Sequence, residues 1–236
     1  MVNVPPAGTQ AGIPSPGSHT LLGQEDQHGI SPAVTSPIDT QASGSSFIVF
    51  NGGYASNTEP PTDNKGNTWT PLGPPVVYNG YGGAFDIKAY ISLSARGGAA
   101  HTVSIVKNGY AAGELSLPFV ELRNAGILQD IAQNYPAQGP RATSGRVITT
   151  GPATLIALWW GDAPHLVNSA IPGNGFTLID SFVDLPPNSG VQVAVAYRQV
   201  GGPGTYDVTW TQSPDQGAVL WLLAFESDFI FVNGFE

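Results

Sequence analysis

The run from Val191 to Trp210, VQVAVAYRQV-GGPG-TYDVTW, alternates residue by residue on either side of a glycine-rich break. Val191, Val193, Val195 and Tyr197 share one face of the first half, and Tyr206, Val208 and Trp210 share one face of the second. A period of two interrupted by GGPG predicts a β-hairpin with one apolar side. Two such strands cannot cover each other, because both apolar faces point the same way, so a second layer has to lie on them. A sandwich or barrel follows.

Runs of the same kind recur from Ser46 onward: Ser46 to Phe50, Thr68 to Pro71, Val76 to Tyr78, Phe85 to Ser94, His101 to Lys107, Leu115 to Leu122, Gly145 to Thr150 and Phe176 to Val183. Gly and Pro punctuate nearly every gap between them. Two runs, Thr154 to Trp160 (TLIALWW) and Val219 to Phe225 (VLWLLAF), are apolar throughout and so predict strands covered on both faces. Ala125 to Asn134 carries Ile127, Leu128 and Ile131 at helical spacing and is the one place where a helical turn is expected. The predicted class is an all-β antiparallel sandwich of jelly-roll or immunoglobulin-like type, with about 10–12 strands and at most one short helix.

Residues 1–45 are rich in Pro, Gly, Ser and Thr, the composition of an extended, flexible arm. Ala33 to Ile38 is the best candidate strand if the arm packs on the domain or on a neighbouring subunit. Residues 46–226 form the predicted single domain, and 227–236 an apolar tail. The N-terminus has neither a basic segment nor an apolar core of the kind a signal peptide needs. No run reaches the roughly 18 apolar residues that span a bilayer.

Only 11% of the 236 residues are charged, against roughly 25% in an ordinary globular domain, so Ser, Thr, Asn, Gln and Gly must cover the surface. The net charge is −9 and the basic residues are scattered. Nucleic acid is thereby excluded as a partner, for no basic stripe exists to displace counterions from a phosphate backbone. The chain has no cysteine, which removes disulfides, thiolate metal sites and a thiol nucleophile.

Pro60 to Trp69, PPTDNKGNTW, has the chemistry of a tight turn, with Asp63 and Asn64 at its entry and Gly66 suited to positive φ. The run TDNKGNTWTPLG, followed by alternating strands and a late PDQGAVLWLLAF, resembles a group of bacterial β-sandwich domains with a DxxGNT[WY] turn. That group occurs on secreted or surface proteins and mostly lacks an assigned activity. The ending IFVNGFE resembles an IFxxGFE tail on exported proteins of some gammaproteobacteria. These resemblances imply an extracellular or cell-surface location, with any leader already removed, and they assign no catalytic residue.

The foremost candidate site is Leu158 to His165, LWWGDAPH, where an apolar strand runs into a loop bearing Trp160, Asp162 and His165. Alternation sends Trp159 and Trp160 to opposite faces, so one of them is expected at an outer face or rim. Indole and phenol rings beside carboxylates suit a sugar, whose apolar face packs on the ring while its hydroxyls meet the polar groups. Trp69 and Tyr81 complete the candidate ligand surface, and both indoles covered by loops is the bland alternative. Asp162 and His165 alone fall short of a metal's ligand set. Asp63, Asn64 and Asn67 offer oxygens to a structural calcium, although a plain turn explains them as well. No cofactor is otherwise implied. There is no GxSxG elbow and no phosphate-binding glycine loop.

Three readings follow. The first is a noncatalytic extracellular or surface module that binds glycans or a surface polymer through exposed aromatics. The second is an assembly subunit that contacts copies of itself through the arm and the tail. The third is a polysaccharide hydrolase or lyase using carboxylates such as Asp86, Asp180 and Asp184 from several strands.

Overall fold

The computed structural model describes residues 12–53, 59–78, 86–107, 109–163, 168–184 and 189–227. Among them run eighteen strands and no helix. In chain order these are β1 (Ser15–Gln24), β2 (Ala33–Val34), β3 (Ser45–Gly53), β4 (Thr62–Asp63), β5 (Thr70–Pro71), β6 (Asp86–Ala95), β7 (Val103–Ile105), β8 (Leu115–Arg123) and β9 (Ile127–Asn134). There follow β10 (Gly139–Thr143), β11 (Val147–Thr149), β12 (Ala153–Asp162), β13 (Ser169–Pro172), β14 (Thr177–Phe182), β15 (Val191–Val200), β16 (Gly204–Tyr206), β17 (Thr209–Gln216) and β18 (Val219–Glu226). Twelve are four residues or longer; the excess over the expected number comes from six ladders of two or three residues too short to show a period.

All pairings are antiparallel, and the fold is a β-sandwich whose sheets do not close into a barrel. Two five-stranded sheets, ordered β1-β8-β3-β6-β5 and β14-β15-β12-β18-β9, face each other across the main core. Ile48, Phe50, Ile91 and Val120 from the first meet Ile156, Trp160, Val193 and Trp221 from the second. The small sheet β2-β7-β4 covers the back of the first, over Phe47, Val49, Leu117 and Phe119. The back of the second, bearing Leu155, Trp159, Leu220 and Leu222, is covered by β10-β17-β13 and β11-β16, which supply Ala142, Val147 and Trp210. The layers therefore number four. This stacking is why TLIALWW and VLWLLAF carry no polar face: every residue from Ala153 to Trp160 and from Val219 to Phe225 is fully buried.

The predicted hairpin does not form. β15 pairs with β12 over ten positions, from Ala153 opposite Val200 to Asp162 opposite Val191, and with β14 on its other side. Beyond the GGPG turn the chain leaves this sheet: β16 pairs with β11, and β17 with β10 and β13. Closing the longer connection between β12 and β15 costs only about 1.7 kcal/mol more than a four-residue loop, because closure entropy grows logarithmically. Burying both faces of a strand rather than one gains about 1.5–3 kcal/mol for each large aliphatic side chain, so the distant partner wins.

The helical expectation for Ala125 to Asn134 is likewise overturned, since Ile127–Asn134 is strand β9 on β18. A bulge sets Ala224 against Asp130 and Phe225 against Leu128, leaving one extra residue between them. That insertion brings Leu128 and Ile131, three apart, to the same core face, and so a bulged strand imitates helical spacing.

Composition suggested a flexible arm, yet residues 15–24 form the outer strand of the first large sheet, on β8. The buried carboxylate of Glu121 is the anchor. It accepts from the backbone N–H of Ser18 (2.9 Å) and of Gln41 (2.8 Å) and from the Ser45 hydroxyl (2.7 Å). Burial alone would raise its pKa, but these bonds and nearby Arg123 hold it below the usual carboxylate range.

Candidate functional site

Strand β12 ends at Asp162, on the rim of a cleft of about 490 Å³ lined by Tyr78, Tyr135, Gln138, Asp162, Asp215 and Gln216 among others. Alternation places Trp160 in the main core and Trp159 on the opposite face, as expected of an extended strand. Both indoles are fully buried, however, so the expected exposed Trp160 is corrected: the layer above covers it. Its Nε1 donates to Ser116 Oγ (3.1 Å), and Gly52 of β3 leaves the gap that the ring fills, for a Cβ there would strike the indole.

Trp160 still bears on the cleft from below. Its ring meets Tyr78 edge to face at 5.2 Å, and Tyr78 in turn stacks on Tyr135 at 5.5 Å with an interplanar angle of 26°. The Tyr78 hydroxyl donates to Gly217 O (3.0 Å). Tyr135 thus stands exposed on a braced column of three rings.

A chain of buried amides forms the other wall. Trp159 Nε1 donates to Gln212 Oε1 (2.7 Å), and Gln212 Nε2 donates to the carbonyls of Gly139 (2.7 Å) and Gln216. Gln216 Nε2 donates to Gln192 Oε1 (3.0 Å), whose Nε2 donates to Ala163 O (2.9 Å). Gln216 Oε1 closes the network by accepting from the Asp162 N–H (3.0 Å). Fully paired networks of this kind hold their members in one arrangement.

Asp162 is the unusual charge. Burial, and secondarily the neighbouring carboxylate of Glu114, push its pKa up to about 7. Gly190 packs so closely on its Oδ1 that a side chain there could not be accommodated, which is how the carboxyl loses its water. Glu114 lies behind, its Oε2 accepting from the N–H groups of Gly190 (2.8 Å) and Val191 (3.3 Å). Burial raises its pKa as well, against the lowering effect of those two bonds.

The other candidate residues fall elsewhere. Trp69 is 5% exposed and belongs to the core between the first large sheet and its cover, so it offers no ligand surface. His165 and Tyr81 lie outside the described residues. Asp180 bonds His19 Nδ1 (3.2 Å) across the sandwich edge, and Asp184 is exposed; neither lines the cleft.

The DxxGNTW turn is accounted for by its own hydrogen bonds. Asp63 Oδ1 accepts from the N–H groups of Lys65 (2.8 Å) and Asn67 (3.2 Å), and Oδ2 accepts from Trp69 Nε1 (2.9 Å). Asn64 Oδ1 takes the Thr102 N–H (3.1 Å) and Asn67 Oδ1 the Arg96 N–H (2.9 Å). The oxygens offered to calcium are thus occupied by protein donors, and the set does not fit a cation. Burial would raise the Asp63 pKa, but His101 and the turn amides outweigh it and hold the carboxyl far below the usual range. Among the described residues no cluster of three His, Asp or Glu side chains could hold a metal.

Tyr135, Gln138, Asp215 and Gln216 escaped sequence reasoning because they come from segments separated by some 75 residues and no local spacing links them. The only available signal was the polar PDQG segment at Pro214 to Gly217, ahead of a wholly apolar strand. Comparison with family models, curated proteins and solved structures finds no match. The fold and site define a layered antiparallel β-sandwich protein with a polar cleft braced by tyrosines.

Proposed function

We propose that this chain is a noncatalytic binding module for a glycan or a comparable polyhydroxylated surface polymer, acting outside the cell or at its surface, with the Tyr135 cleft as its site. The observation that carries the reading is the exposed Tyr135 ring, stacked on Tyr78 and flanked by Asp162, Asp215 and Gln138. A pyranose face packs on such a ring, and its hydroxyls donate to the carboxylates and accept from the amide. The ring replaces Trp160 and Trp69 as the aromatic platform. Sparse charge on the surface and the likeness to secreted or surface sandwich domains support the location.

Titration of a panel of neutral and acidic polysaccharides by calorimetry tests this reading. Wild type is expected to bind at least one of them, and Tyr135→Ala to weaken that binding at least tenfold. No binding by wild type to any member of the panel overturns the proposal. Turnover of a bound polysaccharide that disappears in both Asp162→Asn and Asp215→Asn would replace it with the hydrolase reading, since these are the two carboxylates that line the cleft among the described residues. The assembly reading loses part of its support, because residues 15–24 pair with β8 of their own chain.

A further inference from the structure

Among the described residues, the Tyr135 cleft carries charge of one sign. Asp162 at the end of β12 and Asp215 in β17 both line it, and the buried Glu114 stands behind Asp162. All eight Lys and Arg residues of the chain fall among the described ones, and none of them lines the cleft. Lys107 Nζ, for one, donates to the carbonyls of Ala111 (3.0 Å) and Gly113 (2.5 Å). Neither Asp162 nor Asp215 has an ion-pair partner among the described residues, and no donor there bonds to either carboxyl. Carboxylates on a concave, partly desolvated wall attract a cation more strongly than the same charges in open water.

The remainder of the lining narrows the kind of cation. Among the described residues no three acidic or imidazole groups converge, so a bare metal ion lacks its ligand set. An organic ammonium needs fewer oxygens, and the exposed Tyr135 ring suits it, because a ring face attracts a cation through its quadrupole as well as packing on a sugar. Gln138 Nε2 donates to Asp215 O (3.0 Å) and Gln212 Nε2 to Gly139 O (2.7 Å), which fastens the segment bearing Tyr135 to the segment bearing Asp215. Ring and carboxylate are therefore set in place before a ligand arrives. The cleft, at about 490 Å³, lies within the roughly 300–1,000 Å³ of small-ligand sites.

Resting on the glycan reading of this cleft, the geometry points to a sugar bearing a cationic amino group as its ligand, with the pyranose face on Tyr135 and the ammonium drawn to Asp162 and Asp215. A lysine-rich peptide would satisfy the carboxylates but offers no flat sugar face to the ring. An acidic glycan meets repulsion from all three acids.

The test titrates a trisaccharide of N,N,N-trimethylglucosamine, whose charge is permanent, and its neutral N-acetylated counterpart into the full chain by calorimetry at low salt. The pH is 8, where Asp162, with its pKa raised to about 7, is ionised. Wild type is expected to bind the cationic trisaccharide at least tenfold more tightly than the neutral one. Asp162→Asn and Asp215→Asn are each expected to weaken the cationic form at least fivefold more than the neutral form, whereas Tyr135→Ala weakens both. Asp184→Asn removes the same charge from an exposed position outside the cleft, and so controls for the general attraction of a chain of net charge −9. Equal affinity for the two sugars overturns the inference and leaves the glycan reading standing; binding of neither overturns both. A loss in Asp184→Asn as large as in the cleft variants overturns the inference as well. So does trilysine binding as tightly as the cationic sugar, which would hand the cleft to a basic peptide.

Discussion

Replacing Asp162 with Asn removes a carboxyl that the fold holds with its pKa raised to about 7, against an ordinary 3.8. Because the folded value lies above the unfolded one, the protonated form is the one the fold favours. Its contribution to stability is complete below about pH 4 and is lost as the pH rises through about 7. Three pH units at about 1.4 kcal/mol each set a ceiling of about 4 kcal/mol. Water reaching the open side of the cleft reduces this to about 2 kcal/mol. Wild type should therefore lose about 2 kcal/mol of stability between pH 4 and pH 8 that Asp162→Asn does not lose, and at pH 8 the variant should be the more stable. Urea unfolding followed by tryptophan fluorescence at intervals from pH 4 to pH 8 reads the difference directly. With a slope of about 2–3 kcal/mol per molar urea, the midpoints should diverge by about 0.7–1 M at the alkaline end. Parallel pH profiles for the two proteins would show that Asp162 is an ordinary solvated carboxylate and that its enclosure by Gly190 and Glu114 is without consequence.

Two further perturbations probe the scaffold. Glu121→Ala strands three donors from Ser18, Gln41 and Ser45, which should cost about 3 kcal/mol and expose the Leu21–Leu22 bond of β1 to thermolysin. The depressed pKa of Glu121 means that acid should release the arm in wild type too, as the pH falls from the unfolded value near 4.5 through the lower folded one. Asp63→Ala removes the acceptor for Lys65, Asn67 and the Trp69 indole and should cost about 3 kcal/mol in a urea midpoint, with Asp63→Asn recovering part of it.

What the sequence made legible follows from the range of the interactions involved. TLIALWW and VLWLLAF could be placed at the centre of the fold because burial on both faces leaves its mark on every residue of a strand. Pairing partners could not, since Val191–Val200 alternates in the same way whether its neighbour is four residues away or, as observed, on β12. The bulge in β9 was invisible for a related reason: one extra residue turns period two into period three locally, and only the register against β18 reveals it. At the site, Asp162 was legible as a polar residue ending an apolar strand, but its shifted pKa arises from Gly190 and Glu114, both remote in sequence. Trp160 was read as a ligand platform because its exposure depends on what covers it, and Gly52 makes room for it from the opposite sheet.

The allotment of strands to layers carries one more consequence. Every strand of the first large sheet and of its cover comes from residues before 124, and every strand of the other three sheets from residues after 126. Asn124, at a left-handed φ of 57°, begins the short link between the two halves. Chemically the protein is one chain; in its packing it resembles two subunits joined by a covalent hinge, with the main core as their interface. Cutting that link would turn folding from a unimolecular into a bimolecular event, whose yield would depend on the concentrations of two fragments rather than on the sequence of one.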